Sequence, residues 1–115
     1  MILNQIADPG LISQLEKENI PFVCVDAHLP EDSPLPMVEV DYYDATYQAT
    51  RYLHQHGHSQ IGFIGPETPV EYCAKSYSGF ETYMKEAGLS VNPKWVSKIQ
   101  FSEESAEAAI HALLE

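Results

Sequence analysis

Three histidines alternate through the stretch RYLHQHGHSQIGFIGP, at His54, His56 and His58. Imidazoles this close in sequence raise metal ligation first. On a helix, ligands converge at a spacing of three or four, and His54 and His58 are four apart. Gly57, however, suits the left-handed position that ends a helix. No cysteine or carboxylate stands at a spacing that would complete a closed four-ligand shell. The spacing therefore predicts a seam between helix and strand. In that reading His56 packs on the core face and His58 bonds the last carbonyls, where a donor or cationic side chain is favoured.

Other reactive groups are no better organised. Cys73 has no Gly-rich elbow, and Cys24 sits in an apolar run that would leave it buried and inert. Glu103 and Glu104 fall in the first turn of a helix, where carboxylates complement the dipole. No set of nucleophile, base and orienting group can be assembled. The chain is expected not to be an enzyme and to carry neither metal nor cofactor.

Charge narrows the partners. Six Lys and Arg against seventeen Asp and Glu leave a net charge of −11 in 115 residues, and such a surface repels phosphate backbones. Nothing approaches the apolar run of about 18 residues that a membrane span needs. The start, MILNQIADPG, lacks the basic and apolar regions of a signal peptide. Two cysteines are no disulfide framework. They read as reduced thiols of a cytoplasmic protein, with a bridge as the alternative.

The elements that must position these residues follow from periodicity. Residues 1–4 read as the tail of a strand. Leu11, Ile12 and Leu15 mark a helix over residues 9–19, with Asn19 as its stop. IPFVCVD is a buried strand, and MVEVD another after a proline-rich loop. Ala45, Ala49, Tyr52, Leu53 and His56 predict the core face of a helix from Tyr43 to His56, headed by Asp41 or Asp44. QIGFIG is the next strand. Tyr77, Phe80, Met84 and Ala87 predict a helix over 74–87 that ends at Gly88. Gly79 costs about 1 kcal/mol there relative to alanine, which implies a close packing contact. WVSKIQF is a weaker strand, and Ser102 caps a last helix with Ala106, Ala109, Ile110 and Leu113 inward. This alternation means an α/β fold, a parallel sheet flanked by helices. Both ends read as cut, so a piece of a larger domain is expected, with open sheet edges that promote self-association.

IPFVCVD, VEVDYYDATYQATRYLHQHGHSQIGFIGP, SGFETYMKEAGL and the WV…FSEESAEAAIHALL segment occur in an order that resembles the effector-binding domain of LacI/GalR transcription regulators. The resemblance implies a two-lobed, periplasmic-binding-protein-like (Rossmann-like) fold with a small ligand, a sugar or related metabolite, in the cleft. Residues 1–40 would be part of the first lobe and residues 41–115 the first half of the second. It also implies a homodimer that reaches operator DNA only through a helix-turn-helix headpiece absent from these residues. The alternative is a piece of a sugar-transport binding protein of the same fold. A phospho-receiver domain would need an acidic pair after an early strand and a lysine after a late one, and neither is present.

Site residues carry over position by position. Asp26 matches a cleft-lining position at the carboxyl end of a strand, where open α/β sheets bind ligands. Its other reading is a cap on the following loop. Ser76 stands where the family usually has an arginine, whose forked contacts serine cannot copy. Either Lys75 takes part of that role or the ligand differs from the common sugars. Tyr72 would stack on a sugar face. Ala45 and Ala106 replace usual glycines, and Asp41 matches a family aspartate that reads as a helix cap.

Overall fold

Among the described residues, three of the four helices begin, and three end, on local chemistry that the sequence announces. The structure, a computed structural model, describes all residues except His28, Glu31, Thr68, Pro69, Val70 and Phe101, and all side chains except theirs and those of Glu71 and Tyr72. Helix α1 (Pro9–Lys17) starts on Asp8, whose carboxylate accepts from the Leu11 N–H at 2.8 Å. Asp41, rather than Asp44, heads α2 (Tyr42–Gln55), accepting from the Asp44 N–H at 2.9 Å. Ser102 heads α4 (Glu103–Leu114), with the Ser105 N–H at 3.2 Å. Each satisfies a donor that a helix start leaves unpaired.

The stops share one geometry. Asn19, Gly57 and Gly88 have φ of 54°, 90° and 69°. Behind each, the next residue reaches back five positions: Ile20 to Leu15, His58 to Leu53 and Leu89 to Met84, at 2.9, 3.1 and 2.8 Å. That pairing closes the orphan carbonyls of α1, α2 and α3 (Glu71–Glu86). Helix α3 begins three residues earlier than periodicity suggested, because the apolar stripe starts only at Tyr77.

The chain divides into two compact units, Met1–Val40 and Asp41–Glu115. In the first, β1 (Ile2–Asn4), β2 (Val23–Val25) and β3 (Met37–Val38) form a parallel sheet in that order. Its core is Leu3, Ile12, Leu15, Cys24 and Ala27. Strand β3 is shorter than MVEVD suggested: its pairing with β2 ends at Val38, and Val38 and Val40 are exposed.

In the second unit, β4 (Phe63–Pro66) pairs in parallel with β5 (Val96–Ile99). The ladder starts at Phe63 rather than at Gln60. A turn of 3-10 helix at Pro93–Trp95 delivers β5, and the Trp95 carbonyl lies against Gly62, where a Cβ would meet it at 3.0 Å. Gly62 therefore packs on the turn instead of pairing. The core is Ile61, Phe80 and Met84, with Phe63, Tyr77, Leu89, Val91 and Val96 around it.

Helix α2 corrects the sequence reading. Its expected core face, Ala45, Ala49, Tyr52, Leu53 and His56, is exposed. The face that packs is Tyr47, Thr50 and His54, and Thr50 is the one buried residue of the helix. The cause is Gly79 of α3, where a Cβ would fall 2.1 Å from the Tyr43 carbonyl oxygen. The two backbones meet there, as the glycine implied. The threonines tolerate that burial because their hydroxyls donate to Tyr42 and Thr46 carbonyls at 3.0 and 2.8 Å. On α4, Ala109 is buried and Ala106 and Leu113 half-buried as expected, while Ile110 is 49% exposed.

Candidate ligand-binding site

The histidines separate. His54, not His56, packs inward, its Nδ1 lying 3.0 Å from the Tyr83 hydroxyl on α3. His56 is exposed. Its Nδ1–H donates to the Tyr52 carbonyl at 2.8 Å, and its ring lies over Tyr52 with centroids 4.1 Å apart. His58 reaches the helix end through its backbone N–H, not its ring. Three partners in three directions describe a seam. Among the described residues, no group of three His, Cys, Asp or Glu side chains could hold a metal ion.

Asp26 follows β2 directly, half-buried, with φ of 49°. Its N–H donates to the Val38 carbonyl at 2.8 Å, which ties β2 to β3 beyond the ladder. A non-glycine residue held in the left-handed region is a cost that aspartate bears better than most. Such positions cluster at functional sites. The residue is thus held at the carboxyl end of a parallel strand.

In the second unit, among the described residues, a hollow opens on each face of the β4–β5 pair at the corresponding strand ends. On the α3 face a cavity of about 410 Å³ is lined by Phe63, Gly65, Pro66, Glu67, Cys73, Ala74, Tyr77 and Lys98. The register sets Gly65 opposite Lys98 and Phe63 opposite Val96, so Phe63 and Lys98 share that face. The rings of Phe63 and Tyr77 meet edge to face at 5.4 Å. Lys98 Nζ sits 5.5 Å from the Tyr77 ring centre, within cation–π range. Burial, then the neighbouring Glu81 carboxylate, raises the Tyr77 phenol above its usual pKa, so it stays protonated as a donor. The Glu67 N–H donates to the Ile99 carbonyl at 2.6 Å and extends the pairing to the rim. The other hollow, about 430 Å³, is almost wholly apolar and lies between Ile64, Pro66 and Ile99 and the first turn of α4.

The sequence-derived candidates fall unevenly around this site. Ser76 and Lys75 are half-buried on α3, but the cavity wall is made by Cys73, Ala74 and Tyr77. The side chain of Tyr72 lies outside the described residues. Lys98 and Glu67 were missed. The signal for Lys98 was a lone cation inside an otherwise uncharged strand, VSKI, at the end where ligands bind. An aromatic wall, a cation, a carboxylate and small backbone positions at strand ends suit a compact polar ligand with one apolar face.

The sequence model of periplasmic binding proteins and the sugar binding domain of the LacI family matches residues 5–115. The chain belongs to that family. It is 32% identical over 96 residues to the HTH-type transcriptional repressor PurR of Pasteurella multocida, across 84% of this chain and 28% of the repressor. A crystal structure of a transcription regulator from Lactobacillus plantarum superimposes with a TM-score of 0.76 at 29% identity, across 96% of this chain and 42% of that one. The transcriptional regulator CelR in complex with cellobiose gives 0.69 at 25% identity, across 98% and 35%. The chain thus spans less than a third of the curated relative's length. Parallel sheets, flanking helices and these likenesses make the fold a partial periplasmic-binding-protein-like α/β domain. Among the described residues, no helix is long and apolar enough to cross a membrane.

Proposed function

We propose that the chain is part of the effector-binding domain of a LacI/GalR-type transcription regulator. Residues 1–40 belong to its first lobe and residues 41–115 open its second. The effector is a sugar or related metabolite held in the cleft that such lobes enclose. The protein is cytoplasmic, assembles as a homodimer and meets operator DNA through a helix-turn-helix headpiece. In this reading the domain catalyses nothing and couples ligand binding to DNA affinity.

The observation that carries the ligand reading is the cavity at the carboxyl ends of β4 and β5, with Tyr77 and Lys98 against Phe63. Asp26 is the equivalent feature of the first unit, and Tyr72, Lys75 and Ser76 are further candidates on α3. Supporting the sugar class are the cellobiose-bound relative and the aromatic wall, while Ser76 in the arginine's place requires that Lys75 takes part of its role or that the ligand differs from the common sugars. A transport-binding protein is the second reading, because the matched family embraces periplasmic binding proteins. The likeness to repressors favours regulation.

The test is thermal denaturation with a panel of monosaccharides, disaccharides and nucleosides, followed by calorimetric titration of any hit. A ligand bound to the folded form raises Tm in proportion to its saturation. The expected result is a shift by at least one sugar that Tyr77→Ala removes. Shifts by nucleosides alone would replace the sugar class, and no shift at millimolar concentrations would remove the ligand-binding role.

A further inference from the structure

The α3 face of the β4–β5 pair carries a second hollow behind the one at the strand ends. It measures about 530 Å³ and is lined by Tyr77, Glu81, Val91, Pro93, Val96 and Lys98. Tyr77 and Lys98 line both hollows. The register explains this. Val96 and Lys98 alternate onto the α3 face of β5, while Tyr77 and Glu81, four apart, share one side of α3. The hollows are thus successive stretches of one groove between α3 and β5, parted by the Tyr77 and Lys98 side chains. Given the ligand reading of the strand-end hollow, on which this rests, we infer that the groove is a two-ring site for an uncharged disaccharide. One sugar lies beside Gly65 and Glu67, and the other beside Glu81 and Val96.

The two parts of the partition differ in how firmly they are held. Lys98 is exposed, its Nζ rests 5.5 Å from the Tyr77 ring centre, and among the described residues it makes no ion pair. An ammonium on a flexible four-carbon stem swings aside from such a contact, and the hollows then join. Tyr77 is fixed: its ring meets Phe63 edge to face at 5.4 Å, and its hydroxyl donates to Glu81 Oε1 at 3.5 Å. The step between the compartments is therefore an aromatic ring, a surface that the apolar face of a sugar covers. Each hollow lies toward the lower end of the range of about 300–1,000 Å³ for small-molecule sites, which suits one ring apiece. The charges select the class. Glu67 stands in one compartment, Glu81 in the other and Lys98 between them. Carboxylates accept from hydroxyls and the ammonium donates to them, so a polyol engages all three. A phosphate or carboxylate on either ring would face a like charge. The same groups disfavour a packed protein segment, which would strip water from Glu81 and Lys98 without pairing them.

The test is calorimetric titration of the 115-residue chain with cellobiose, maltose and lactose against glucose and galactose. One disaccharide should bind about tenfold more tightly than its component sugars, the gain from one further hydrogen bond to a charged group. Glu81 is exposed and lines only the second compartment. Glu81→Ala should therefore remove that gain and leave monosaccharide affinity unchanged. Amide shifts give a readout without any substitution: the disaccharide should move Glu81, Val91 and Val96, and the monosaccharide should not. With monosaccharide binding intact, the second compartment is overturned by equal affinities for one ring and two. It is equally overturned by the same loss for both in Glu81→Ala, or by a bound disaccharide that leaves Glu81, Val91 and Val96 unmoved. Binding of none of these sugars would overturn the strand-end reading, and the two-ring site with it.

Discussion

The two sides of α3 are built on opposite principles. Toward α2, Gly79 removes even a methyl group from the contact, and Tyr47, Tyr83 and His54 fill what remains: the two phenol rings lie 5.1 Å apart and Tyr47 donates to Glu86 at 2.6 Å. Toward the carboxyl ends of β4 and β5, the same helix leaves about 410 Å³ open beside Cys73, Ala74 and Tyr77. Protein interiors are close-packed, so an open hollow of this size beside the strand ends is room that a ligand can occupy. The crowded side fixes where α3 stands, and the hollow side uses that position. Damage to the first should cost stability, and damage to the second should cost ligand.

The largest expected effect is at the crossing. Gly79→Ala places a methyl group on the Tyr43 carbonyl, which neither backbone can evade without separating the helices. Urea unfolding should show a loss above about 3 kcal/mol, the upper end of overpacking costs. A loss below 1 kcal/mol would mean the helices can slide apart freely. Met84, fully buried on the core face of α3, comes next, since Met84→Ala should cost about 3 kcal/mol through the cavity it leaves.

Across the helix the expectation inverts. Lys98→Met removes an exposed cation and should leave stability within about 0.5 kcal/mol, as surface substitutions do. Calorimetry should nonetheless show affinity for the effector reduced several-fold. Unchanged affinity would exclude Lys98 from the site.

The smallest effect is a pH dependence. The hydrogen bond to Glu86 is the main cause that raises the Tyr47 phenol above its usual pKa of 10.0, followed by burial and the Glu86 charge. A group with a raised folded-state pKa contributes stability that is complete below pH 10 and lost as pH climbs past it. Denaturant midpoints of the wild type should therefore fall more steeply above pH 10 than those of Tyr47→Phe. Parallel pH profiles for the two would contradict this.

Much of this frame was legible in the residues. Asp41 and Ser102 are short acceptors ahead of helical periodicity, and Asn19, Gly57 and Gly88 are residues that tolerate the left-handed stop; Asp8, an acceptor of the same kind, was missed. Local chemistry decides these positions, so sequence reports them. The buried face of α2 was not legible. Its apolar stripe and its Thr–Tyr–His stripe have the same period, and only the partner helix, through Gly79, decides which one is covered. The same limit assigned inward packing to His56 rather than to His54. In the first unit, the strand-end position of Asp26 could be read from IPFVCVD. In the second unit, Lys98 carried only the signal of a lone cation in VSKI, and Glu67 carried none, because it lies just past the strand and nothing in its residue type sets it apart.

The most direct test of the account is an amide chemical-shift titration of the chain with the sugar that most raises its Tm. The account expects perturbations concentrated at Gly65, Glu67, Ala74, Tyr77 and Lys98, and at Asp26 in the first unit, with α2 silent. Perturbations confined to α2 or α4, or a spectrum that no sugar moves, would contradict the assignment of the strand ends as the ligand site.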